Sequence, residues 1–347
     1  MVPPLSGFLQ SIKVSSGKQV MITDQLYGEH TISEPVLVSL FESPELRRLD
    51  GVHQHGVTGL LGLTPRVTRL EHSVGAFLLV RKVGGSLEEQ VTALLHDVSH
   101  TALSHVVDWA LSKPGEDSFH EVHKERYLKT TQLPELLIQH GFDDLKPFRE
   151  DLFPLVEMPS PHLCADRLDY GLRDSVAFGK LSLEYAHRIY ASLKASPDAS
   201  SPHRLMVLED VELALTLARA YLATDRDIWS NRSNINLYQR TGQVIGNLIR
   251  RGVIKEELLW AGSDEEFWKT IRSAADPGSL DSMKHLETGG MPSEEGLNLP
   301  QGTKIRTIDP DIHLEPSTPP CPLSMVRPEW ATERQEYIRS RQSMMRN

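Results

Sequence analysis

The segment 86–100 constrains the fold more than any other part of the chain. Ser86, followed three residues on by Glu89, has the form of a capping box, in which a hydroxyl and a carboxylate satisfy the free N–H groups that open a helix. Leu87, Val91, Leu94, Leu95 and Val98 then recur at helical spacing as a broad apolar stripe. The spacing predicts a buried helix that carries His96-Asp97-Val98-Ser99-His100. On such a helix His96 and His100 share one face and Asp97 sits about 100° round toward its edge, so one ligand beside it could reach all three.

Further helices are predicted on both sides. Residues 71–83 are apolar at Val74, Phe77, Leu78 and Val83 and are followed by Gly84-Gly85, which suits a helix stop. Upstream, Glu34-Pro35 opens one helix, and Ser43-Pro44-Glu45 supplies a cap and a first-turn proline for another. Helical periodicity returns in 120–130, 133–140, 162–176, 183–193, 207–226 and 234–251. Before all of these, 12–32 alternates around Ser16-Gly17-Lys18 and Tyr27-Gly28-Glu29 and reads as a small β-ribbon.

Proline, glycine and serine become dense over 274–322, with Asp276-Pro277-Gly278 and Pro319-Pro320-Cys321-Pro322 as breakers, so regular helix is not expected there. A short strand is predicted at 304–308 and an arginine-rich terminal helix at 329–344. The expected architecture is all-α: an N-terminal β-ribbon (1–33), a helical bundle (34–260) and a loop-rich extension ending in a helix (261–347).

Charge narrows the partners. A formal net charge of −10 repels polyanions, and with no local basic patch nucleic acid is not an expected partner. Cys164 and Cys321 are too few for a disulfide framework and fit a reducing compartment. No apolar run approaches the roughly 18 residues of a spanning helix, and no basic leader precedes one, so no membrane partner is expected. The cytoplasm is the expected location, with the nucleus left open.

More than half of the 15 histidines fall within 53–123, several within a turn or two of an aspartate. A divalent metal that activates water needs several fixed ligands and an open position, and imidazoles with carboxylates suit Mn²⁺, Fe²⁺ or Zn²⁺. His72, His96, Asp97 and Asp166 form such a set, drawn from three predicted helices. Asp169, three residues beyond Asp166 on the same face, is the alternative to it.

The order His, His-Asp, Asp is the signature of the HD superfamily, and its surroundings resemble the branch that hydrolyses deoxynucleoside triphosphates. The likeness runs over about 22–179, from Thr23-Asp24-Gln25-Leu26-Tyr27-Gly28 and Ser43-Pro44-Glu45-Leu46-Arg47-Arg48-Leu49 to Val52-His53-Gln54-His55-Gly56. It continues through Arg69-Leu70-Glu71-His72-Ser73, the segment 96–105 and Ala165-Asp166-Arg167-Leu168-Asp169-Tyr170. It implies an HD-domain helical bundle holding one divalent metal (Mn, Fe, Mg or Zn) on His72, His96, Asp97 and Asp166. It also implies phosphate contacts from Arg69, His100, His105 and Arg167, and a catalytic histidine at His120, for which His123 is the neighbouring alternative. Asp108 would be the carboxylate partner of a histidine, and Gln54, Tyr170 and Asp174 would meet the sugar.

His55 departs from the branch, which tends to carry a small apolar residue there. An imidazole could accept a 2′-hydroxyl or a 3′-phosphate, so ribonucleotides enter as substrates. The expected activity is hydrolysis of a nucleotide phosphate ester or anhydride, with a triphosphohydrolase ahead of a nucleoside monophosphatase. An HD-type di-iron oxygenase, with His120 and His140 as added ligands, is the rival class. The expected small-molecule partner is a nucleotide, and a homo-oligomer such as a dimer stays open.

Overall fold

The computed structural model of the chain describes residues 7–15, 18–113, 115–143, 145–314 and 318–345. β1 (Leu9–Ser15), β2 (Gln19–Asp24) and β3 (Gly28–Ile32) form the N-terminal antiparallel sheet in that order. The expected turn at Ser16-Gly17 lies outside the described residues. Val20, Ile22 and Asp24 alternate inward along β2, which delivers the Asp24 carboxylate to the helical layer.

α1 (Pro35–Glu42) and α2 (Pro44–Arg48) both begin on proline, and Ser43 caps α2 by accepting from Leu46 N. After α3 (Gly56–Leu60) come α4 (Arg69–Lys82), capped by Thr68, and α5 (Leu87–Leu95), capped by Ser86. Only half of the expected capping box forms. Glu89 turns inward instead, fully buried, and accepts from Leu155 N at 3.1 Å and from Arg204 at 2.9 Å.

The chain continues through α6 (Val106–Leu111), α7 (Phe119–Val122), α8 (Lys124–Leu128) and α9 (Leu133–Gln139). The helix expected over 120–130 is thus broken at His123. α10 (Ala165–Ala177), α11 (Leu183–Ser192), α12 (Val211–Thr224) and α13 (Arg232–Arg250) complete the middle of the chain, and α10 packs against α4.

Two findings correct the expected architecture. Regular helices do form beyond 260, as α14 (Asp264–Ala274) and α15 (Pro277–Gly289). Asp276-Pro277 starts a helix rather than stopping one: Asp276 caps it from Ser279 N at 3.0 Å, and Pro277 takes the first position, where its missing N–H is not needed. The second correction is a four-stranded sheet, β4 (Leu193–Ser196), β5 (Leu205–Leu208), β6 (Asp311–Ile312) and β7 (Cys321–Pro322), in that order. The fold is predominantly helical but not all-α. Val207 and Leu208, read as the start of a helix, lie instead in a strand that pairs antiparallel with β4 and, from a hundred residues away, parallel with β6. Residues 304–308 make no strand. α16 (Leu323–Val326) and the expected terminal helix, α17 (Pro328–Met344), close the chain.

The apolar residues form two main clusters, and the site lies between them. Leu95 and Val98 belong to the larger one, built on α1, α4, α5, α10 and α12. Ala102 and Leu103 belong to the second, with Val57, Ile245, Phe267, Trp268 and Ile271, so residues on both sides of 260 share it. Burial of each large aliphatic side chain is worth about 1.5–3 kcal/mol, so the intervening turn is held at both ends.

Candidate metal centre

The helix α5 stops at Leu95, and His96-Asp97-Val98-Ser99 is a turn, so the shared helical face expected for His96 and His100 does not exist. The turn brings the side chains together by another route. Leu103 and Ser104 both adopt the left-handed region, at φ 61° and 48°, a conformation that costs a non-glycine residue on the order of 1–3 kcal/mol. Bonds from Leu103 N to Asp264 Oδ1 (2.7 Å) and from Ala102 N to Leu259 O (2.8 Å) hold it there. Ser104 Oγ thereby donates to His53 O at 2.7 Å and accepts from Arg69 Nε at 3.1 Å.

Ligand-type atoms of His72, His96 and Asp97 all lie within 4.8 Å of one another, close enough to share one ion. His72 comes from the first turn of α4, and Asp166 from the first turn of α10. Asp166 Oδ1 is 3.0 Å from His72 Nε2 and 3.6 Å from His96 Nε2. The second nitrogen of each ring is engaged, His96 Nδ1 with Ala93 O at 2.8 Å and His72 Nδ1 with Asp169 Oδ2 at 2.7 Å. A neutral ring that donates from Nδ1 presents a lone pair at Nε2. The two Nε2 atoms are 3.1 Å apart, with a carboxylate oxygen beside them. Two lone pairs and an anion facing one another need a positive centre among them, and a divalent ion fits this donor set.

The titration of the same groups agrees. Burial opposes charge on His72, but hydrogen bonds to Asp166 and Asp169 outweigh it and carry its pKa up to about 10. His96 is also raised: burial opposes this, and Asp97 and Asp166 prevail. Asp97 and Asp166 stay ionised despite burial, Asp97 through Arg69 and both rings, Asp166 through His72 and His96.

Behind the site, fully buried Arg173 binds Asp24 at 2.8 Å, Glu71 at 3.0 Å and Asp169 at 2.9 Å, and Tyr27 OH donates to Asp169 at 2.7 Å. The N-terminal sheet, α4 and α10 are thus bolted together through the carboxylate that orients His72. The helices approach so closely that a Cβ on Gly75 would lie 1.8 Å from Asp169 Oδ1.

On the other side of Asp97 lies a second group. His100 and His120 stack with ring centres 3.5 Å apart, and His100 Nε2 is 3.4 Å from Asp97 Oδ1. Both rings are pushed well below the usual histidine range, first by burial and then by Arg69 and neighbouring histidines. They are neutral. His105 stands nearer the surface, its Nδ1 3.0 Å from Asp108 Oδ2, while Asp108 Oδ1 accepts from Phe119 N at 2.7 Å. Asp108 therefore positions both His105 and the helix that carries His120. Arg69 donates to Asp97 Oδ2 at 2.6 Å, yet its Nη2 is buried without a hydrogen-bond partner among the described residues, as are Gln54 Oε1 and His100 Nδ1.

Comparison with known proteins agrees with this chemistry. The chain is 58% identical over 339 residues to the metal-dependent phosphohydrolase cns2 of Cordyceps militaris, covering 98% of each. It belongs to the metal-dependent phosphohydrolases of the HD superfamily. No protein-family model matches the chain. This phosphohydrolase is also 23% identical over 151 residues to deoxynucleoside triphosphate triphosphohydrolase SAMHD1 of Danio rerio, covering 37% of this chain and 24% of that one. A solved phosphohydrolase of Bacteroides thetaiotaomicron aligns with a TM-score of 0.52 at 21% identity, over 78% of this chain and 71% of that one, and shows the shared fold. The phosphohydrolase is a hydrolase with a divalent metal cofactor. Among its described residues no helix is long and apolar enough to cross a membrane.

Several expected substrate contacts of the phosphohydrolase are turned to other uses. Arg167 bonds Met158 O (3.0 Å), His162 O (2.8 Å) and Glu157 (3.1 Å), which leaves little of its guanidinium for phosphate. His55 is buried, with Nε2 3.1 Å from Asp174 Oδ1, and Asp174 Oδ2 accepts from Trp229 Nε1 at 2.7 Å. The Tyr170 and Tyr221 hydroxyls meet at 2.5 Å. Trp229 and Glu157 gave no signal in the sequence. Glu157 lies against Asp166, and burial, then that neighbour, raise it to about 7.

Proposed function

We propose that this phosphohydrolase cleaves a phosphate ester or anhydride of a nucleotide, with its ion held by His72, His96, Asp97 and Asp166. The observation that carries the reading is the orphaned Arg69 Nη2: a buried guanidinium N–H beside Asp97 with no partner among the described residues asks for an anion. Gln54 Oε1, also without a partner among the described residues, supports a polar substrate group such as a sugar hydroxyl. The name of the Danio rerio relative supports a nucleoside triphosphate as the first substrate to try.

A divalent ion at the centre would supply Lewis acidity toward phosphoryl oxygens and make water more acidic. The chain's own groups do the rest. Arg69, fixed by Asp97 and Ser104, stabilises charge that builds on the phosphoryl oxygens as attack proceeds. His120 and His100, kept neutral beside Asp97, accept or orient protons, and His105, held by Asp108, can return one to the leaving oxygen. A monophosphatase is the second reading, favoured by the commitment of Arg167 to carbonyl groups.

A turnover screen of nucleoside mono- and triphosphates with Mn²⁺, Mg²⁺ and Fe²⁺ tests the proposal. Tripolyphosphate as product supports the first reading and orthophosphate from monophosphates the second. No phosphate release from any nucleotide would sink both.

A further inference from the structure

Resting on the nucleotide reading of the site, we infer that Arg306, in the C-terminal extension, binds the part of the substrate's phosphate chain remote from the metal centre. Its backbone is pinned while its side chain is left free. The buried carboxylate of Asp225 accepts at Oδ2 from both Arg306 N (3.0 Å) and Tyr337 OH (2.8 Å). Next along the chain, Thr307 Oγ1 accepts from Arg334 Nε at 2.9 Å, Ile308 is buried, and Asp309 N bonds Pro161 O at 2.9 Å. The terminal helix α17 therefore fixes where Arg306 stands.

The guanidinium itself makes no hydrogen bond among the described residues. Its one ion-pair contact, with Asp225 Oδ1, is 3.8 Å long, and its side chain is 30% exposed. It hangs over the Trp229 ring, 5.9 Å from the centroid, at the end of the π-helical turn Asp225–Trp229. Trp229 meets Tyr170 edge-on at 5.2 Å, and the Tyr170 ring lies 6.2 Å from that of His72. Tyr170 follows Asp166 by one turn of α10, so it stands above the metal centre on the same helix face. An aromatic wall thus runs from the metal centre to Arg306.

Five N–H donors in a planar fork match phosphate better than any other side chain does. Arg167, the other guanidinium nearby, is occupied by backbone carbonyls and Glu157. Arg69 faces the metal-side phosphoryl group, and Arg306 takes the groups beyond it.

The test is calorimetric titration of the metal-loaded full chain with adenosine 5′-triphosphate, adenosine 5′-monophosphate and inorganic tripolyphosphate. Arg306→Gln is expected to weaken both triphosphate ligands on the order of 10- to 100-fold and the monophosphate by less than about 3-fold. Arg306→Lys, which keeps the charge but loses the fork, falls between wild type and Arg306→Gln. Unchanged triphosphate affinity in Arg306→Gln overturns the inference, as does an equal loss for mono- and triphosphate, which would mean a displaced Trp229 wall. Because binding is read rather than turnover, the two readings fail separately. Arg306-dependent binding without hydrolysis of any nucleotide overturns only the proposed activity, and hydrolysis with unaltered binding in Arg306→Gln overturns only the role of Arg306.

Discussion

The two histidine pairs on either side of Asp97 are made of the same residue and are tuned in opposite directions. His72 and His96 face Asp166, Asp169 and Asp97, and these carboxylates raise them against the effect of burial. His100 and His120 are as deeply buried, and there burial wins: it drives both down, with Arg69 and neighbouring histidines adding to it. The neighbours sort one residue type into two jobs. A ring poised among carboxylates is a place for positive charge, and a cation can take it from a proton. A ring beside a guanidinium stays neutral and suits proton transfer.

The largest effect that could break this division is at a ligand. His96→Ala is expected to abolish stoichiometric metal binding and lower kcat more than about 10³-fold, read by elemental analysis alongside turnover. Retained metal would move His96 out of the first group. His120→Asn should lower kcat by about 10²–10⁴-fold while leaving metal content at the wild-type level. Loss of metal in that variant would merge the two pairs.

A smaller effect sharpens the first pair. Asp169→Asn keeps a hydrogen-bond acceptor for His72 but removes the charge, and should weaken metal affinity by about 10- to 100-fold with the ligand set intact. The smallest concerns pH. His72 in the metal-free protein has a folded pKa of about 10 against an ordinary 6.5, so the stability it contributes is fully present below pH 6.5 and is lost as pH rises through 10. Chemical denaturation of metal-free protein should show stability falling by up to about 1.4 kcal/mol per pH unit in that window, and metal-loaded protein should not show that slope.

The sequence singled out the first pair because ligands must be particular residue types in a particular order, and the structure brings His72, His96 and Asp97 together whatever the backbone does between them. Sequence reasoning misjudged the backbone itself. His96 and Asp97 lie on a turn rather than a helix, since the chain must bend there to pass from one apolar cluster to the other. Asp169, weighed as a ligand, instead accepts from His72 Nδ1 and from Arg173 four residues on. That pairing is visible as i,i+4 spacing but says nothing alone about which carboxylate faces the ion. The substrate side was least legible. Trp229, Asp264 and Arg306 reach the site through tertiary packing, and no local periodicity marks them. The second sheet was hidden for the same reason, its parallel pairing depending on a strand a hundred residues distant.

Asp97 has ligand-type atoms within 4.8 Å on both sides, from His72 and His96 and from His100 and His120, and the division between the two pairs puts the ion on the first side only. Elemental analysis of protein saturated with Mn²⁺ and freed of excess, in wild type and in His72→Ala, tests it most directly. One ion per chain is expected in the wild type and essentially none in His72→Ala. Two ions per chain in the wild type, with one retained in His72→Ala on His100 and His120, would contradict it.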